Sequence, residues 1–146
     1  EVVPQAISTL PRALQRRLQI TQQCRAEDID RVRAIYAETK IAVELSTFIP
    51  NIPECLEWAH LVIGRAGAST IAELTAAGRA GILVPYPHAT DNHQIENARE
   101  MVINGGAWLF NQKEFNAAEL AKLLQRLAKR PRDVWRASED ARKVGI

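Results

Sequence analysis

Short blocks of consecutive apolar residues recur along the chain, separated by segments whose apolar positions follow helical spacing. The blocks predict strands at Leu18–Gln22, Ile41–Leu45, Leu61–Gly64, Gly81–Val84 and Ala107–Phe110. The amphipathic segments predict helices near Glu27–Thr39, Ile52–Trp58, Thr70–Ala77 and Asn92–Asn104, with Ala117–Lys129 and Asp133–Val144 closing the chain. Strand and helix in strict alternation define an α/β fold built on a parallel sheet. Pro53 near a helix start, Gly78 and Gly105 after helix ends, and Pro131 between the last two helices supply the punctuation. Val2 to Leu14 reads as a further helix with no strand before it, so the expectation is a chain cut on its N-terminal side, its first strand and that strand's turn missing.

Two turns carry the candidate chemistry. Gly64-Arg65-Ala66-Gly67-Ala68-Ser69-Thr70-Ile71-Ala72-Glu73-Leu74 runs from an apolar strand through small residues into a helix. Gly67 and Ala68 leave the backbone approachable, and the first-turn amides, with the positive end of the helix dipole, favour an anion such as a diphosphate. The same residues admit a second reading, in which Thr70 and Glu73 form a Thr-x-x-Glu capping box that satisfies those amides internally. The second turn, Val84-Pro85-Tyr86-Pro87-His88-Ala89-Thr90-Asp91-Asn92-His93-Gln94, also leads from strand to helix and is stiffened by two prolines. Asp91, His93, Gln94 and Asn97 gather donors and acceptors suited to sugar hydroxyls, although Thr90 or Asp91 can equally cap the helix, and His88 and His93 can be surface residues. Both turns fall at the carboxyl ends of strands, the side on which open α/β sheets bind ligands.

Composition narrows the function classes. A length of 146 residues is that of one domain with a real core, and 47% hydrophobic with 25% charged residues is ordinary for a globular protein. A net charge of +2, without aromatic residues interleaved among basic ones, argues against nucleic acid. No apolar run reaches the length of a membrane span and no signal peptide opens the chain, which points to the cytosol. Cys24 and Cys55 lack neighbouring ligands at metal spacing and are expected as buried thiols. The C-terminal stretch is basic, with Lys122, Arg126, Lys129, Arg130, Arg132, Arg136, Arg142 and Lys143 exceeding Asp133, Glu139 and Asp140; this is either a solvated helix face or a surface attracted to anionic membranes. Neither a catalytic triad, a phosphate-loop motif nor a GxGxxG fingerprint is present.

The two turns together, Arg65 to Glu73 and Val84 to Gln94 with Asn97-Ala98, resemble the C-terminal domain of the MurG family of glycosyltransferases. The resemblance runs from the Val2 helix through Gly105-Gly106-Ala107 and fades over the last helices. It implies the Rossmann-like donor half of a GT-B enzyme that moves N-acetylglucosamine from UDP-N-acetylglucosamine to lipid-linked muramoyl-pentapeptide in peptidoglycan synthesis, without metal or cofactor. By the same resemblance Glu73 holds the ribose, Ala68, Ser69 and Thr70 line the diphosphate, and His93 and Gln94 face the sugar, with Arg65, Gly67 and Asn97 as weaker members. The catalytic base and the acceptor site would lie in a separate N-terminal domain, so this piece alone is expected to be inactive and to bind UDP weakly or not at all. The enzyme would sit peripherally on the cytoplasmic face of the inner membrane. Gln22-Gln23-Cys24-Arg25 departs from the family's His-Gln-Ser/Thr-Gly turn by losing the glycine. The alternatives are another GT-B UDP-sugar enzyme (a glycolipid or exopolysaccharide transferase, or a sugar-nucleotide epimerase) and a non-catalytic nucleotide-binding module.

Overall fold

The computed structural model describes residues 2–85 and 92–144, with the Asn92 side chain excluded. They divide into two compact units: residues 1–52 with 116–129, and residues 53–115 with 130–146.

The first unit holds helix α1 (Val2–Ser8), the single turn α2 (Arg12–Gln15), strand β1 (Gln19–Gln23), α3 (Ile29–Ala37), β2 (Ala42–Ser46) and α7 (Ala117–Lys129). β1 and β2 pair in parallel, Gln19 opposite Ala42 through Gln23 opposite Ser46. Leu120, Leu123 and Leu127 of α7 recur at three- and four-residue spacing and form the buried stripe of that helix, which packs on α1. Asn116 starts α7, its Oδ1 accepting the Glu119 amide at 2.9 Å. The single N-terminal helix expected over Val2–Leu14 is two, because Pro11 cannot continue α1 and instead begins α2 with φ −54° and ψ 141°. The break is made good by Gln15, 4% exposed, whose Nε2 donates to the carbonyls of Leu10 at 2.9 Å, Ser8 at 3.2 Å and Ile7 at 3.4 Å while its Oε1 accepts the Lys40 amide at 3.1 Å. One buried amide thus closes the carbonyl end of α1 and ties it to the chain before β2. Tyr36 of α3, also buried, donates its hydroxyl to Gln22 Oε1 at 2.6 Å, and burial raises its pKa well above the usual tyrosine value.

The second unit holds α4 (Ile52–Trp58), β3 (Leu61–Gly64), α5 (Ala68–Ala77), β4 (Ala80–Leu83), α6 (Asn92–Ile103), β5 (Ala107–Leu109) and α8 (Pro131–Val144). Its sheet is parallel throughout, in the order β3-β4-β5, with Leu61 opposite Ala80 and Gly81 opposite Ala107. β4, the middle strand, is buried along its whole length, as expected for a parallel strand covered on both faces. α8 reaches the sheet through small residues: Ala137 and Ala141 are buried, and Ser138 Oγ accepts the Ala80 amide at 3.1 Å. Gly106 allows this approach, since a Cβ there would stand 2.9 Å from the Ala141 Cα. Gly78 ends α5 in the left-handed region at φ 65°, and Arg79 donates to the Leu56 and Glu57 carbonyls at 2.7 Å each, closing the last turn of α4.

In each unit, then, a parallel sheet is accompanied by helices in the Rossmann-like manner, and the strands fall where the apolar blocks lie, within one residue at each end. Cys24 is buried, whereas Cys55, expected to be buried as well, is only half-buried, on the side of α4 that also carries Ile52 and the buried Leu56.

Candidate functional site

The site is built by two adjacent strands of the second unit. β3 and β4 run parallel and end level, Gly64 opposite Leu83, so the chain leaves both at one edge of the sheet. After β3, three residues lead into α5; after β4, Val84 and Pro85 lead toward α6. His88, Thr90 and Asp91 lie outside the described residues.

α5 begins three residues earlier than a Thr70–Glu73 capping box would place it. Gly67 is its N-cap at φ −64° and ψ 156°, with no side-chain cap hydrogen bond, and Gly67 O accepts the Ile71 amide at 3.0 Å. Thr70 therefore occupies the third helical position, and the capping box is not formed: a box needs its hydroxyl on the N-cap residue, where glycine has none. The amides of Ala68, Ser69 and Thr70 are the ones that geometry leaves without an intrahelical carbonyl, and they lie at the positive end of a ten-residue helix. An anionic oxygen placed there receives up to three N–H donors converging from one turn. Ala68, Ser69 and Glu73 are exposed and Thr70 half-buried; Glu73 lies four residues on from Ser69, on the same helix face.

The start of α6 comes against this turn. A Cβ placed on Gly67 would lie 3.8 Å from Gln94 Nε2, so the first turn of α6 reaches the N-cap of α5. One helical turn further, Asn97 Nδ2 donates to the Ala66 carbonyl at 3.4 Å. Gln94 and Asn97, three residues apart, share the face of α6 that meets the β3–α5 turn and are both half-buried. His93 is exposed, its Nδ1 4.0 Å from Glu96 Oε2 in a solvent-facing pair. Arg65 reaches across the strand ends: its Nη1 donates to the carbonyls of Val84 at 3.3 Å and Pro85 at 3.5 Å and to Gln112 Oε1 at 2.7 Å.

Arg65, Gly67, Gln94 and Asn97 are thus brought together around the start of α5, while Ala68, Ser69, Thr70 and Glu73 continue along its first turns and His93 lies beside Gln94. Gln112 belongs to the same cluster and carries no sequence signal, because its partner is 47 residues away and its surroundings read as an ordinary loop. Among the described residues no group of three or more His, Cys, Asp and Glu side chains is placed to hold a metal ion. The arrangement offers backbone amides suited to an anion next to neutral amide side chains suited to hydroxyls, at the sheet edge where open α/β folds take ligands.

Comparison with known proteins gives the family. Residues 1–144 match the glycosyltransferase family 28 C-terminal domain, and the chain belongs to that family. It is 54% identical over 145 residues to the protein of Zymomonas mobilis subsp. mobilis named UDP-N-acetylglucosamine-N-acetylmuramyl-(pentapeptide) pyrophosphoryl-undecaprenol N-acetylglucosamine transferase, covering 99% of this chain and 38% of that protein. It is 53% identical over 146 residues to the protein of the same name from Sphingopyxis alaskensis, covering 100% of this chain and 37% of the relative. The crystal structure of Acinetobacter baumannii MurG superposes with a TM-score of 0.86 at 29% identity, over 98% of this chain and 40% of that one. The chain therefore spans well under half the length of these relatives.

Proposed function

We propose that this chain is the donor-binding domain of a glycosyltransferase that moves N-acetylglucosamine from UDP-N-acetylglucosamine to lipid-linked muramoyl-pentapeptide, as the names of its relatives describe for them. The observation that carries this reading is the meeting of two helix starts at one sheet edge, Gln94 against Gly67 and Asn97 against Ala66. In this account the diphosphate lies on the Ala68, Ser69 and Thr70 amides, Glu73 takes the ribose hydroxyls, and His93 and Gln94 take the hexose. Arg65, Gly67 and Asn97 shape the turn beneath them.

The chemistry assigned to these residues is that of the leaving group. When an acceptor hydroxyl attacks the anomeric carbon, the bond from that carbon to the diphosphate oxygen breaks and its electron pair remains on UDP. Fixed amides at the α5 start receive that charge without reorganising, and the hydroxyl proton passes to a base outside this chain. The acceptor is likewise held by the rest of the enzyme. We place that enzyme on the cytoplasmic face of the membrane as a peripheral protein; no helix among the described residues is long and apolar enough to cross a bilayer.

A nitrogen-15 NMR titration of the chain with millimolar UDP-N-acetylglucosamine tests the assignment even if binding is weak. The expected result is a set of shift changes at the backbone amides of Ala68, Ser69 and Thr70 and at the side-chain amide of Gln94. Shift changes confined to other parts of the chain, or the same changes with NAD, would remove it.

A further inference from the structure

We propose that the β3–α5 turn is a clamp, in which Arg65, seated by Gln112, is a positioning residue for donor recognition and not a ligand to the diphosphate. The proposal rests on the donor-site reading above. Three consecutive residues of this turn meet either the end of β4 or the start of α6: Arg65 meets the Val84 and Pro85 carbonyls, Ala66 O accepts from Asn97, and Gly67 adjoins Gln94. The first pair of contacts is where the chain leaves the sheet, and the other two are where it has become α6. One turn thus meets both the end of β4 and the start of α6.

The guanidinium supplies what a neutral side chain could not. Val84 and Pro85 are buried at the end of β4, and the Pro85 carbonyl follows a strand that has no further ladder partner to give it. A single cationic nitrogen, Arg65 Nη1, gives its short bond to Gln112 Oε1 at 2.7 Å and shares its other hydrogen between the Val84 and Pro85 carbonyls at 3.3 and 3.5 Å. Gln112 lies three residues beyond β5, so the guanidinium spans the carboxyl ends of β3, β4 and β5 together. With Nη1 turned to these acceptors, the arginine orients the surface that carries His93 and Gln94, while the anion site is made by α5 amides that do not depend on it. Recognition of the hexose should therefore be more sensitive to Arg65 and Gln112 than recognition of the diphosphate.

Two measurements on the chain separate the possibilities. In amide hydrogen exchange without ligand, Arg65→Ala is expected to speed exchange at Glu96 to Ala98, the first closed turn of α6, by about tenfold, and Gln112→Ala by about threefold, on the scale of one charge-assisted bond at a partly exposed site. α7 serves as the unaffected reference, and Arg65→Lys, which keeps the charge but not the fork, should recover only part of the protection. In ligand titrations the same variants should weaken UDP-N-acetylglucosamine several-fold while leaving UDP within about twofold, and the Arg65 and Gln112 effects should be less than additive. Unchanged exchange in α6, or an equal loss of UDP and UDP-N-acetylglucosamine affinity in Arg65→Ala, would overturn the clamp while leaving the donor reading in place. Absence of any donor-induced shift in the native chain would instead remove the donor reading and the clamp's role in it.

Discussion

Replacing Ala68 by proline separates the anion site from the fold that carries it. Ala68 is the first helical residue of α5, the position at which proline is best tolerated, and Gly67 before it has φ −64° and ψ 156°, the extended conformation that a following proline demands. The Ala68 side chain is exposed, so the ring has room. The substitution therefore removes one N–H and leaves the helix intact; reduced freedom of the unfolded chain should raise stability by up to about 1 kcal/mol. If the diphosphate takes a hydrogen bond from that N–H, the loss is that of a bond to a charged group, about 1.5 kcal/mol at a solvent-facing helix start and hence about tenfold in affinity. The Ser69 and Thr70 amides and the helix dipole remain, so binding is weakened and not abolished. Titration of native and variant chains with UDP and with uridine reads this directly: UDP should weaken about tenfold, uridine should not change, and the thermal midpoint should hold or rise. Equal UDP affinity in a variant of undiminished midpoint would refute the placement of the diphosphate on the α5 amides.

Other outcomes follow from the packing. Gln15→Ala should destabilise the first unit by about 2 kcal/mol in urea titration, because it strips partners from the Leu10 carbonyl and the Lys40 amide at a nearly buried site. Gly106→Ala should cost about 1–3 kcal/mol by the same assay, since the new methyl would meet the backbone of Ala141 at 2.9 Å and α8 would have to withdraw from the sheet. Tyr36 gives a pH signature. Its pKa is raised on folding above the ordinary 10.0, first by burial and then by Cys24, so the folded state holds the phenolic proton that the unfolded chain releases. Stability from this group is complete below pH 10.0 and falls as pH rises beyond it, and Tyr36→Phe should flatten that decline in denaturant titrations across the alkaline range.

Much of this architecture is legible in the residues because it is encoded locally. α4 and α7 begin and end where the apolar spacing puts them, and β3 fills Leu61–Gly64, since each is a short periodic block bounded by turn residues. The N-terminal helix was less legible: its apolar pattern runs through Pro11, and only the buried Gln15 amide, which gathers carbonyls from Ile7 to Leu10, shows how the chain survives the break. At the site the residue types pointed to an anion and a sugar, but the sequence could not choose between a capping box and an open helix start. The choice is made by Gly67, whose conformation lets the helix begin two residues before Thr70. The Arg65–Gln112 bond is invisible at that level, because it depends on β3, β4 and β5 ending side by side and not on any local pattern.

The most direct test of the donor site is a crystal structure of the chain with UDP-N-acetylglucosamine. Diphosphate oxygens are expected about 3 Å from the Ala68, Ser69 and Thr70 amides, with hexose hydroxyls on His93 and Gln94. A nucleotide bound with its diphosphate elsewhere, leaving the α5 start to solvent, would contradict it.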